Sequence, residues 1–76
     1  MAISYKKLWK TLIDKEMKKK ELCRLADIST YTIGRMNRDE NVTLEVIEKI
    51  CNALNCDIGD VVEFVSNENM NSEIRK

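Results

Sequence analysis

Residues 19–38, Lys-Lys-Glu-Leu-Cys-Arg-Leu-Ala-Asp-Ile-Ser-Thr-Tyr-Thr-Ile-Gly-Arg-Met-Asn-Arg, constrain the fold more than any other stretch of this chain. Apolar or small residues fall at Leu22, Cys23, Ala26, Ile28, Ile33 and Met36, a spacing that no single helix satisfies. Leu22, Cys23 and Ala26 fit one face of a first helix, and Ile33 and Met36 fit one face of a second. Asp27 and Ile28 form the corner. Ser29 is placed to accept a hydrogen bond from the backbone N–H of Tyr31 or Thr32 and so begin the second helix. Two short helices joined by a tight turn describe a helix-turn-helix, whose second helix enters the major groove of DNA.

The charge distribution agrees. The net charge is zero, yet residues 1–38 hold ten Lys/Arg against four Asp/Glu, a net of +6, and residues 39–76 hold three against nine, a net of −6. The expected molecule is dipolar, with its basic half around the helix-turn-helix and its acidic half kept away from phosphates. The acidic residues Glu40, Glu45, Glu48, Asp57, Asp60 and Glu63 lack the spacing of a calcium loop and are expected to form a solvated face.

At 76 residues the chain is a single domain. A domain of this size buries only about 60% of its unfolded surface, so dimerisation or tight helix packing is expected to support it. With 43% apolar and 34% charged residues it has neither a membrane nor a disordered composition. No apolar run approaches the ~20 residues of a membrane span, and none forms a signal-peptide core, so the expectation is a soluble, cytoplasmic protein. Three cysteines, Cys23, Cys51 and Cys56, are an odd number with no secretory signal, which argues against a disulfide framework. With no histidine the chain lacks a zinc ligand set, and no cofactor is expected. The thiols read as small buried or half-buried groups, with Cys56, near a helix end, as the alternative of a redox-sensing thiol. Without histidine or a Gly-rich phosphate loop there is no evident general base or nucleotide cradle, and no enzyme is expected.

Proline is absent and the only glycines are Gly34 and Gly59, so helix boundaries are read from caps. Ser4 predicts a first helix over about residues 5–15, with Tyr5, Leu8, Trp9, Leu12 and Ile13 as its inner stripe. Trp9 reads as core. The second helix begins at Met17-Lys18 and runs to about Ala26, and the third runs from Ser29 to about Asn37. Residues 38–42 form a polar connection. Thr43 caps a fourth helix lined by Leu44, Ile47, Ile50, Cys51 and Leu54. Asp57, with Asp60 three residues later, predicts a capped fifth helix carrying Ile58, Val61, Val62, Phe64 and Val65. Val and Phe at 58–65 also suit an edge strand, but a lone strand with no partner is not viable, so an all-α fold is expected. Residues 1–65 are then the domain and residues 66–76 a polar, disordered tail.

Five helices with the helix-turn-helix at positions two and three resemble the lambda-repressor-like fold of the Cro/repressor-type (XRE) DNA-binding domains, over about residues 3–65. In that family the second helix opens on a polar residue followed by a Leu-Ala pair; here Lys19 stands there, with Leu22-Cys23. The family turn usually reads Gly-Val-Ser, and here it reads Asp27-Ile28-Ser29; aspartate tolerates the left-handed conformation better than most residues. Gln often comes after the serine in the family, whereas Thr30 occupies that place. Residues 43–63 are the most specific match, resembling the family's fourth helix, short break and fifth helix in small bacterial and phage-type regulators.

The resemblance implies a groove-facing side of the third helix made by Thr30, Tyr31, Gly34 and Arg35. Arg35 is suited to a bidentate contact with guanine O6 and N7; its alternative is an exposed solubilising charge. Tyr31 either meets a sugar or thymine methyl or covers the helix terminus. Gly34 costs about 1 kcal/mol of helix stability relative to alanine, which suits a close approach of DNA backbone or a relief of internal packing. Lys18, Lys19 and Lys20 place positive charge at a helix N-terminus, where the macrodipole opposes it and nearby phosphate favours it. Thr32, Asn37 and Arg38 are expected to add phosphate contacts.

Two functions compete: a sequence-specific regulator, expected to be a repressor, binding a palindromic operator as a homodimer, and a protein-interaction module such as an antitoxin or adaptor. The basic first half favours double-stranded DNA. A homodimer seam is expected at Ile58, Val61, Phe64 and Val65, with core packing of Phe64 against Trp9 as the alternative. The chain has no room for a ligand domain, so no small-molecule substrate is expected, and no membrane partner.

Overall fold

A computed structural model describes residues 2–66; Met1 and residues 67–76, which make up most of the expected tail, lie outside the described residues. Strand β1 (Ala2–Ser4) leads into helices α1 (Lys6–Asp14), α2 (Lys19–Ala26), α3 (Thr30–Asn37) and α4 (Leu44–Leu54), then a one-turn 3-10 helix (Ile58–Asp60) and strand β2 (Glu63–Val65). α2 packs against both α3 and α4. The core is Tyr5, Leu8, Leu12, Leu22, Ala26, Ile33, Met36, Ile47, Ile50, Leu54 and Val61, all buried. Each of the four α-helices contributes at least two residues of its apolar face to this core. Among the described residues, no helix is long and apolar enough to cross a membrane.

The corner between α2 and α3 forms as its residues dictate. Asp27 adopts the left-handed conformation, φ 59°, ψ 50°, and the Ile28 N–H reaches back to the Cys23 carbonyl at 3.1 Å. That is the Schellman closure, made here with aspartate where glycine is the usual choice. Ser29 then accepts from the Thr32 N–H at 3.1 Å, starting α3 soon after α2 has ended. Thr43 does the same for α4, accepting from the Val46 N–H at 3.3 Å. Ser29→Ala should lower stability by about 1 kcal/mol, a fall in Tm of about 4–8 °C for a domain of this size, read by thermal denaturation.

Four expectations are corrected. The fifth helix does not form. Asp57 does cap, accepting from the Ile58 N–H at 2.8 Å, and the Asp60 carboxylate accepts from the Asp57 N–H at 3.2 Å, but the helix stops after a single 3-10 turn. Beyond it the β-branched and aromatic run Val61, Val62, Phe64, Val65 favours extended backbone. This run finds its strand partner in β1, pairing antiparallel with Ala2 opposite Val65, Ile3 opposite Phe64 and Ser4 opposite Glu63. The fold is therefore four α-helices closed by a two-stranded sheet, not all-α.

Ser4 belongs to that sheet and is not the helix cap. Tyr5 takes the cap position, although the Ser4 Oγ still accepts from the Lys6 N–H at 3.3 Å. Ile13 and Leu44 were both expected on inner faces and are each 73% exposed, since each sits at a helix end where the stripe turns out of the core. Val61 is fully buried in the core and has no surface to offer a dimer seam.

Candidate nucleic-acid interface

Two helix ends build one face. At the start of α2, Lys18, Lys19 and Lys20 are exposed, and the Glu21 carboxylate accepts from the Lys18 backbone N–H at 3.0 Å. This acidic group in the first turn offsets three cations that the helix macrodipole disfavours there. Across the corner, α3 buries Ile33 and Met36 and turns Thr30, Tyr31, Asn37 and Arg38 outward, with Tyr31 70% exposed. Thr30 and Tyr31 thus stand exposed together on the first turn of α3.

The other expected residues are less free. Thr32 is half-buried and its hydroxyl lies 3.0 Å from the Ser29 hydroxyl, so its first role is in the cap. A Cβ on Gly34 would meet only the Arg38 Nη1, at 3.8 Å, an ordinary contact. Packing inside the protein therefore gives no reason for glycine here. The Lys19 Nζ donates to the Asn37 Oδ1 at 2.6 Å and lies 4.2 Å from the centre of the Trp9 ring. Trp9 is half-buried against the core and carries this cation on its ring, a link between α1, α2 and α3 that was not expected from the sequence.

Arg35 is drawn toward the α3–α4 connection. Its Nε and Nη2 both donate to the Asn41 carbonyl, at 3.2 and 2.9 Å, and its Nη1 lies 3.5 Å from the Glu40 Oε1. Arg38 uses the same carboxylate: its Nε donates to the Glu40 Oε2 at 2.9 Å and its Nη2 to Oε1 at 3.4 Å. The Arg38 hydrogen bonds hold the Glu40 carboxyl below its ordinary pKa, and Arg35 adds to the effect. Beneath them the buried Tyr5 hydroxyl donates to the Glu40 backbone carbonyl at 2.7 Å, and burial raises the Tyr5 pKa. A tyrosine on an inner stripe needs a partner for its polar tip, and that is the one signal in the sequence that pointed toward this connection.

The Cys23 thiol lies 3.9 Å from the Ser29 carbonyl at the corner, and Cys51 is on α4 with Cys56 just beyond it. Cys23, Cys51 and Cys56 are free and half-buried, and burial pushes the Cys51 thiol up to about 11. Such a thiol is protonated at neutral pH and is a poor nucleophile.

A groove of about 330 Å³ is lined by Ile3, Tyr5, Val42, Leu44, Ile58 and Phe64, among others. Phe64 is 68% exposed, which rules out the alternative of packing in the core against Trp9. Ile58 and Val65 are exposed as well.

Comparison with curated protein sequences finds no match. Among solved structures, the chain is similar to that of the transcriptional regulator VanUg, with 48% identity and a TM-score of 0.78 over 82% of this chain and 83% of that one. The Cro/C1-type HTH DNA-binding domain family matches residues 7–67, a span that takes in the capped corner, α3 and the basic start of α2. By these measures the chain belongs to the Cro/C1-type helix-turn-helix family of DNA-binding domains.

Proposed function

We propose that this protein is a sequence-specific transcriptional repressor that binds a palindromic operator as a homodimer. The observation that carries the reading is the helix α3, held out by the Ser29 cap beside the exposed lysines 18–20 on the basic half of the chain. The similarity to VanUg, a transcriptional regulator, points the same way. Thr30, Tyr31, Gly34 and Arg35 read base edges; Lys18, Lys19, Lys20, Thr32, Asn37 and Arg38 hold phosphates and set the register. A single eight-residue helix reads few base pairs, and two-fold pairing doubles the site. Ile58, Phe64 and Val65 supply the seam, with the exposed Leu44 beside them at the groove. A domain of this size acts most simply by occupying DNA that another protein needs.

Selection from a random pool of duplexes tests the proposal. The expected product is one enriched sequence with two-fold symmetry, its half-sites about 10 base pairs apart centre to centre. Failure to enrich any sequence would overturn the reading in favour of a protein-binding module.

A further inference from the structure

The α3–α4 connection contains a charge in an unfavourable place. Glu40 sits just beyond the C-terminus of α3, where the helix macrodipole disfavours a carboxylate. It is nonetheless firmly positioned. Asp39 adopts the left-handed conformation, φ 57°, and folds the chain back so that the Glu40 N–H donates to the Arg35 carbonyl at 3.0 Å. The Tyr5 hydroxyl holds the Glu40 carbonyl from the other side. With its backbone fixed at both ends, the carboxylate lies between Arg35 and Arg38, the two arginines of the recognition segment. Exposed ion pairs of this kind contribute little to stability, so stability does not account for it.

We propose that Glu40 sets the affinity of the DNA-facing surface: its carboxylate takes the place on Arg38 that a DNA phosphate would otherwise occupy, and so keeps DNA held by phosphate contacts alone from binding. The proposal rests on the reading of α3 as the DNA-facing helix. Carboxylate and phosphate offer a guanidinium the same paired acceptors. Binding to DNA of any sequence depends on phosphate contacts, so each such contact through Arg38 first requires separation from Glu40. That separation costs the same on every sequence; on the operator, base contacts by neighbouring residues keep the complex bound in spite of it, and on other sequences nothing does. Arg35 has the Asn41 carbonyl as a second acceptor, whereas the Arg38 side-chain hydrogen bonds all go to Glu40, so Arg38 is the residue that Glu40 withholds from phosphate.

The experiment compares the wild-type chain with Glu40→Gln on the selected operator and on a mixed-sequence duplex, across a salt series. Glutamine keeps the size and the acceptor oxygen and removes the charge. The expected result is about tenfold tighter binding to the mixed-sequence duplex, a comparable gain on the operator, and a salt slope steeper by about one per subunit. Adding Arg38→Gln to Glu40→Gln should abolish the gain. Should Glu40→Gln fail to fold, as judged by circular dichroism, Glu40→Asp withdraws the carboxylate by one methylene and should show a smaller gain. Wild-type binding with an unchanged or weakened variant overturns the role of Glu40 alone. A wild-type chain that binds neither duplex overturns the DNA reading of α3 and this proposal with it.

Discussion

Raising the salt concentration from about 50 to about 200 mM should weaken operator binding by the dimer by about 10⁵-fold. In the proposed dimer each subunit turns Lys18, Lys19, Lys20, Arg35 and Arg38 toward DNA, and five such cations correspond to a log–log slope of about −4 to −5 per subunit. Three of the five, the lysines, stand exposed at the start of α2, and Lys19 is already oriented by Trp9 and Asn37. Fluorescence anisotropy over a salt series measures the slope directly. A nearly flat dependence would remove DNA as the partner.

Phe64→Asp should give a folded monomer whose operator affinity is about 10²–10⁴-fold below that of the wild-type chain, because linked half-site binding is lost. The side chain is mostly exposed and the neighbouring core position is filled by Val61, so a charge at position 64 leaves the packed interior intact. Its local effect is confined to β2, where aspartate is a poor strand residue opposite Ile3. Sedimentation separates monomer from dimer, and circular dichroism checks the helices in the same samples. An unchanged dimer would place the seam elsewhere on the surface.

The four α-helices were legible because each carries its own local signals. An apolar face at helical spacing, the cap oxygens of Ser29 and Thr43, and an aspartate able to turn left-handed at position 27 act within a few residues of one another. The sheet was not legible for the opposite reason. Ala2–Ser4 is too short to show an alternation, and its partner lies at the other end of the described chain. Asp57 and Asp60 marked a helical start correctly but said nothing of its length, which the extended preference of Val61, Val62 and Val65 cut to one turn.

The candidate interface divides in the same way. The exposure of Tyr31 and of the lysines at 18–20 follows from their places off the apolar stripe of α3 and ahead of that of α2. The engagement of Arg35 was hidden because its main partner is a backbone carbonyl, which carries no residue identity. Arg38 and Glu40, two apart, would not face each other on a helix; they meet because Asp39 ends it.

The pairing of β1 with β2 also sets the order in which the chain folds. Contacts among α2, α3 and α4 join segments close in sequence, whereas the sheet joins residues 2–4 to residues 63–65 and closes a loop spanning nearly the whole domain. The entropy of that closure must be lost before its few hydrogen bonds form, so the helices assemble first and the sheet zips last. For the same reason it is the first part to open in the native state, a low-energy local unfolding that leaves the helical core in place. With Phe64 and Val65 in the proposed seam, opening of the sheet and separation of the subunits become one linked equilibrium. Protein concentration then acts as a ligand of the closed form, and dilution loosens the chain ends before it loosens the helix-turn-helix.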